Sequence, residues 1–261
     1  LSEHSSRTSK TEKIFDDAMS SFFYNEGSNS LPILRARSII VDTEEGVINQ
    51  LEKSHLSELF DTKHFIKGVD GAGNNWAHGN YHYGPFYRES IIEKINKQLE
   101  LCDSPQCFMV SHSLGGGTGS GLGTYIIGLL KEYYPEIFKF STCVIPSEDD
   151  DVITSPYNSI LALNELIDNA DCVLPLDNQS LIDICNRVEK ESDKIKSDLL
   201  GKNTKITNIK KKEKPYDKMN NIISHVLSNL TCSMRFEGSL NVDINDITMN
   251  LVPFPGLHFL T

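Results

Sequence analysis

At 261 residues with a formal net charge of −11, the chain is long enough to bury a sizeable core. It is also too acidic for a general nucleic-acid binder, because a phosphate backbone calls for a basic surface. Hydrophobic residues at 39% and charged residues at 23% are ordinary for a globular protein, and the longest apolar runs, such as Tyr125 to Leu130, fall far short of the roughly 20 residues needed to cross a bilayer. The opening stretch to Lys13 is polar and lacks the apolar segment of a signal peptide. Leu1 in place of Met, and an apolar run at Phe259-Leu260-Thr261, read as truncated ends.

Apolar strand-like runs alternate with helix-period segments, which predicts an α/β fold of three layers around a mainly parallel sheet. Ser38 to Asp42 reads as a strand ending in an acid, followed by Thr43-Glu44. Cys107 to Ser113 reads as a second strand, and the run Gly115-Gly116-Gly117-Thr118-Gly119-Ser120-Gly121 follows it directly. A helix is expected from Leu122 to Tyr134, a strand from Phe140 to Pro146, and then an acidic loop, Glu148-Asp149-Asp150-Asp151. A helix over Asn158 to Asn169 leads to a strand at Cys172 to Leu176, closing on Asp177-Asn178. The next helix is expected to stop near Glu189, where the apolar face gives out. From there to Lys214 the chain holds nine of its 25 basic residues, which reads as an exposed lysine-rich insertion. Helical period resumes at Met219, with Ile222, Ile223, Val226, Leu227 and Leu230 on one face. The six cysteines, Cys102, Cys107, Cys143, Cys172, Cys185 and Cys232, form no C-x-x-C pair, so reduced thiols are expected rather than a disulfide framework or zinc site.

The glycine run carries the chemistry. Five glycines in seven residues leave the backbone able to take positive φ and to approach a ligand closely. At a strand-to-helix junction, its amides and the helix N-terminus can face a di- or triphosphate together, with Thr118 and Ser120 adding hydroxyls. No lysine supplies a Walker pattern, and G-x-G-x-x-G fails from every glycine. Ser111-His112-Ser113-Leu114-Gly115 imitates a hydrolase elbow with Ser in place of the first Gly.

Ser113 to Gly121 resembles the tubulin signature. Gly71-Ala72-Gly73-Asn74-Asn75-Trp76-Ala77 resembles the second glycine loop of that family. Pro156-Tyr157-Asn158, Asp177-Asn178, Arg235-Phe236 and Asn250-Leu251-Val252-Pro253-Phe254-Pro255 match further family landmarks in order. The runs Asp17 to Phe23, Asp151 to Ala162 and Phe236 to Asn241 are similar to the epsilon subfamily, as is the place of the insertion before Pro215-Tyr216-Asp217.

The resemblance implies a GTP-binding domain over residues 1–251, with its insertion at about 190–214, and the start of a second domain at 252–261. It implies a GTP or GDP site with Mg²⁺. Ser113, Gly116, Gly117, Thr118 and Gly119 would hold phosphates, Asn74 would bond a phosphate oxygen, and Glu44 would lie near the metal. Asp151 would touch the ribose, Asn178 and Asn220 would read the guanine edge, and Tyr216 would stack on the base. Asp246 would orient the attacking water for the nucleotide of a neighbouring subunit, so that hydrolysis needs association.

Residue chemistry alone leaves rivals open. Glu44 could be a solvated turn acid, Asn178 a helix cap, Asp151 a solvated face, Tyr216 a packing residue, and Asp246 a helix-terminal acid. The family's first strand, with its Gly-Gln-Cys-Gly loop, has no counterpart here, which implies a sheet without one central strand. Implied partners are other tubulins and centriolar or basal-body proteins, and the implied location is the cytoplasm and cytoskeleton, at the centriole or basal body. A non-hydrolysing centriolar scaffold and an unrelated α/β enzyme such as a dinucleotide oxidoreductase are the alternatives.

Overall fold

The computed structural model describes residues 19–26, 33–147, 150–200, 216–236 and 242–260, with side chains of 193–200 left aside. The lysine-rich insertion therefore lies outside the described residues from 201 to its end.

Seven strands are described. Phe23–Asn25 (β1) and Leu34–Ala36 (β2) form an antiparallel hairpin. Ile40–Asp42 (β3) pairs in parallel with Phe65–Lys67 (β4). Cys107–Ser113 (β5), Phe138–Ile145 (β6) and Cys172–Asp177 (β7) form a parallel sheet in that order. The final residues extend it, because Val173 N donates to His258 O and Leu260 N to Val173 O, each at 2.8 Å. The parallel strands thus fall into two hydrogen-bonded parts, and no strand among the described residues bridges β3 and β5.

Alternation along the strands builds the layers, since successive side chains leave a strand on opposite faces. Phe138 and Phe140 of β6, Cys107 and Met109 of β5, and Cys172 and Leu174 of β7 join one core cluster. That cluster is capped by Leu230, Met234 and Ile244, from the helices Asp217–Leu230 (α6), Cys232–Arg235 (α7) and Ile244–Leu251 (α8). The intervening Cys143, Ile145 and Val173 face the opposite side, against Ile127 of Gly123–Tyr133 (α3) and Ala162 and Leu166 of Ser155–Asn169 (α4). On that same side Ile91 and Ile95 of Gly84–Leu99 (α2) pack with Leu129 and Leu130 of α3, beside Ile39, Val41 and Val110. Helix, sheet and helix make the three expected layers.

Most observed boundaries fall within three residues of expectation, as at Phe138–Ile145 and Ser155–Asn169, and two differences have a visible cause. The helix opening at Asn178 (α5, Asn178–Leu200) continues past Glu189. Its lysines and glutamates are good helix formers, so propensity carries it beyond the end of its apolar face. The helix after the glycine run begins earlier than Leu122, with a π-helical turn over Thr118–Leu122. A second π turn, His78–Tyr83, leads into α2.

These two π turns cross on glycines. A Cβ on Gly79 would strike Gly117 O and come within 3.0 Å of Gly121 Cα, while one on Gly121 would strike Trp76 O. Bare backbone is therefore required where the helices meet. Gly46, on the exposed side of Glu45–Glu52 (α1), has nothing within 4 Å of such a Cβ. Gly79→Ala should lower stability by about 2 kcal/mol through overpacking. Gly46→Ala should raise it by roughly 0.5–1 kcal/mol through the unfolded state. Denaturant midpoints of the two variants, read against the parent chain, check both signs.

Candidate phosphate-binding site

The glycine run sits where β5 ends, and Leu114 N still donates to Val144 O at 2.9 Å, one residue past the strand. Beyond that the backbone turns away from the sheet, and its carbonyls are drawn inward one by one. Gly115 O accepts from Asn158 Nδ2 (2.9 Å), Gly116 O from the buried Ser120 hydroxyl, and Gly119 O from His112 Nδ1 (2.9 Å). Ser120 O and Gly121 O accept from Thr124 Oγ1 at 2.6 and 3.2 Å. A peptide whose oxygen points inward points its N–H the other way. First-turn amides have no intrahelical partner, so the loop offers donors to whatever lies above the helix N-terminus.

Of the two reasons inferred for glycine, positive φ does not hold in the run itself. No glycine of the run has positive φ; the positive-φ residues are Gly71 (69°), Gly73 (58°) and Asn74 (52°), all in the second loop. The run is glycine-rich because neighbours press against it. A Cβ on Gly115 would lie 2.7 Å from Ser155 Oγ, on Gly117 2.7 Å from Asn75 N, and on Gly119 2.5 Å from Ser113 Oγ. Gly116 alone among these faces open space, with Asn74 Oδ1 at 3.7 Å as its only neighbour. The open side of the loop is therefore at Gly116, and Asn74 borders it.

Asn158 joins the two loops. Its side chain, only 3% exposed, accepts from Trp76 N (2.9 Å) and donates to Asn74 O (2.8 Å) and Gly115 O (2.9 Å). Thr154 Oγ1 adds a bond to Asn74 O at 2.7 Å. These contacts hold Asn74 in its left-handed conformation, which Asn tolerates better than most residues.

The end of β3 closes the site. Buried Thr43 meets Thr118 hydroxyl to hydroxyl at 2.5 Å, and Gly71 N donates to Thr43 O at 3.0 Å. Exposed Glu44 lays its carboxylate on Gly71, where a Cβ would come within 2.6 Å of Oε1. Glu44, Asn74, Thr118 and the Gly116 face thus converge from three segments. A carboxylate and a hydroxyl are hard oxygen donors of the kind Mg²⁺ takes alongside phosphate oxygens, and amide donors suit the phosphates themselves. The donor set fits the expected group.

The other expected residues are placed less centrally. Ser113 packs on Gly119. Ser120, read as a ligand hydroxyl, is instead used up inside the loop. Asp150 and Asp151 are both exposed, and it is Asp150 that lies against the glycine run, accepting from Ser155 Oγ at 2.9 Å with its Oδ2 3.1 Å from a Cβ on Gly115. Asp177 caps α5, accepting from Gln179 N and Ser180 N at 3.2 Å each. The capping role considered for Asn178 therefore belongs to its neighbour. The Ser180 hydroxyl bond holds the Asp177 carboxyl below its ordinary range. Asn178 is half-buried at the start of α5, and Tyr216 and Asn220 are exposed at the first turn of α6, which packs along α5. Among the described contacts none joins these three to the glycine run. Asp246 closes a capping box at α8, accepting from Asp243 N at 3.3 Å. The hydrolase-elbow reading finds no base, since the His112 nitrogens are occupied by Gly119 O and by Ser141 Oγ at 3.0 Å.

All six cysteines are free, and burial pushes the Cys107 and Cys143 thiols up to about 12 and Cys172 to about 11, so these three stay protonated and inert. Among the described residues no group of three or more metal-ligating side chains is found, and no helix is long and apolar enough to cross a membrane.

In the sequence Asn158, Thr43, Asp150 and His112 stand only as members of longer runs, with no contact role assigned to any of them. Little in the sequence signals Asn158, since an Asn at the expected start of a helix reads as an ordinary N-cap. Asn158→Ala should cost roughly 3–5 kcal/mol, because it leaves buried backbone groups of both loops unpaired. Urea denaturation checks that figure. Burial also drives His112 down to about 4. Its neutral form therefore stabilises the fold fully above its unfolded value near 6.5, and that contribution declines as pH falls toward 4. Replacement by Asn, which does not titrate, should flatten the fall in unfolding free energy between pH 7 and pH 4.5.

Comparison with known proteins gives the family. Residues 2–186 match the family described as Tubulin/FtsZ family, GTPase domain. The chain is 48% identical to the tubulin epsilon chains of Mus musculus (over 277 aligned residues) and Homo sapiens (over 280), each alignment covering 100% of this chain and 58% of the relative. It is 40% identical to the tubulin beta-1 chain of Chondrus crispus over 238 residues, covering 91% of this chain and 48% of that protein. The chain thus spans a little over half the length of the epsilon relatives it matches. With a glycine loop between parallel strand and helix, a second loop locked to it by Asn158, and this match across most of its length, the chain belongs to the Tubulin/FtsZ family.

Proposed function

We propose that the chain is the nucleotide-binding part of an epsilon-type tubulin that holds GTP or GDP with Mg²⁺ between its two glycine loops. The inward-turned carbonyls of Gly115, Gly116 and Gly119 carry the reading, because they leave the loop amides to a polyanion. In this reading Ser113, Gly116, Gly117, Thr118, Gly119 and Asn74 hold the phosphates, and Asp151 touches the ribose. Asn178, Asn220 and Tyr216 receive the base. Glu44 takes the metal, whose chemistry is to neutralise charge on the terminal phosphates. The match to relatives named epsilon chains supports the subfamily, and a place in the microtubule cytoskeleton, other tubulins as partners and centriole or basal-body assembly as the setting are part of the proposal.

Hydrolysis, in this proposal, awaits a neighbouring subunit. Phosphoryl transfer depends on positioning and charge stabilisation, and Asp246, exposed at the start of α8, is the acid offered to the next subunit's nucleotide. The division of the chain near residue 251 belongs to the same proposal, with Phe259 tying the second unit's first residues to β7.

A fluorescent GTP analogue should bind and NAD should not. Tight NAD binding with no GTP binding would sink the reading in favour of a dinucleotide enzyme. Glu44→Gln should weaken the Mg²⁺-dependent part of GTP affinity about tenfold while leaving the Mg²⁺-free part in place. A GTPase rate that rises on addition of tubulin and is lost in Asp246→Ala marks a polymer-activated enzyme. A rate near zero in both conditions marks a scaffold that keeps its nucleotide.

A further inference from the structure

His112 stands directly beneath the glycine run, on the strand that leads into it, and belongs to none of the ligand contacts above. Both ring nitrogens have partners: Gly119 O at 2.9 Å from Nδ1 and Ser141 Oγ at 3.0 Å from Nε2. Gly123 lies flat on the ring, where a Cβ would come within 3.2 Å of His112 Cβ and Cγ. A carbonyl can only accept, so Nδ1 must carry the proton. A neutral ring then leaves Nε2 as an acceptor, and the Ser141 hydroxyl, the one group here able to donate, fills it. The chain of donors runs one way, from Ser141 on β6 through His112 on β5 to Gly119 in the loop.

We propose that His112 is a positioning residue for the nucleotide: fixed as its Nδ1–H tautomer by Ser141, it clamps the far end of the glycine run at Gly119, as Asn158 clamps the near end at Gly115. The inference rests on reading the loop as a phosphate site. Its consequence is specific to one ring nitrogen. In the other tautomer two lone pairs, on Nδ1 and on Gly119 O, would face each other at hydrogen-bonding distance. The Gly119 peptide would rotate, and the free amides of the first turn would lose their common direction. A neutral, sheltered imidazole suits this task, and its depressed basicity keeps the donor pattern constant across physiological pH.

Two side chains separate this role from simple packing. Asn places its amide N–H where Nδ1 stands, and Gln places its own where Nε2 stands. His112→Asn should keep affinity for a fluorescent GTP analogue within about threefold of the parent, while His112→Gln should lose about tenfold, the worth of one neutral hydrogen bond. Both should lower the thermal midpoint to a similar extent, since both leave space beside Gly123. Equal affinities for the two variants would overturn the proposal.

Imidazole ¹⁵N shifts of the unaltered full chain give an answer that needs no variant to fold. An Nδ1–H tautomer at His112 is expected, and a predominant Nε2–H tautomer would overturn the clamp. If the parent chain fails to bind the GTP analogue at all, the nucleotide reading falls, while the tautomer measurement still decides whether His112 holds Gly119.

Discussion

One buried amide holds the site together. Asn158 carries the only described side chain that bonds to both glycine loops, and it does so from a third segment, the first turn of α4. Each loop is unstable in isolation: one has residues at positive φ, the other exposes the first-turn amides of a helix. A carboxamide offers one acceptor and two donor hydrogens, and here both ends are used with little access for water to compete. Thr43 and His112 bind the glycine run from β3 and β5 in the same fashion, through a hydroxyl and an imidazole. A set of small polar side chains thus sets the direction of backbone groups that themselves carry no sequence information.

This division of labour explains what the sequence disclosed. The strand Cys107 to Ser113 matched its expected span, because an apolar run bounded by glycine is a strong local signal. The three layers followed from the succession of strand-like runs and helix-period segments along the chain. By contrast β4, Phe65–Lys67, is too short for any periodicity to register, and the hairpin β1–β2 has none to offer. The π turns at His78–Tyr83 and Thr118–Leu122 arise from glycine contacts between distant segments, which no local pattern announces. Helix α5 outran its apolar face because charged residues with good propensity need no core to extend one.

At the candidate site, the glycine run was legible but the packing behind it was not. Glycine was expected for conformational freedom, whereas most of these glycines are needed because Ser155, Asn75 and Ser113 lie where a side chain would go. The conformational freedom is spent in the second loop instead, at Gly71, Gly73 and Asn74. Composition cannot distinguish the two uses of glycine; only the identity of the neighbour does. The same holds for Ser120 and Thr118, alike in the sequence, of which one turns its hydroxyl into the loop and the other toward β3.

The reach of Asn158 along the chain also sets the order in which the site can come into being. Asn74 lies 84 positions ahead of the amide that fixes it, and Gly115 lies 43 ahead. At a synthesis rate of about 5–20 residues per second, the second loop leaves the ribosome roughly 4–17 seconds before its anchor is made. During that interval a left-handed Asn has nothing to hold it. Until Asn158 is made, no described side chain is present that can lock the two glycine loops together. On the proposed function, a nucleotide could stabilise the fold only after α4 has docked, which places any such help late in synthesis.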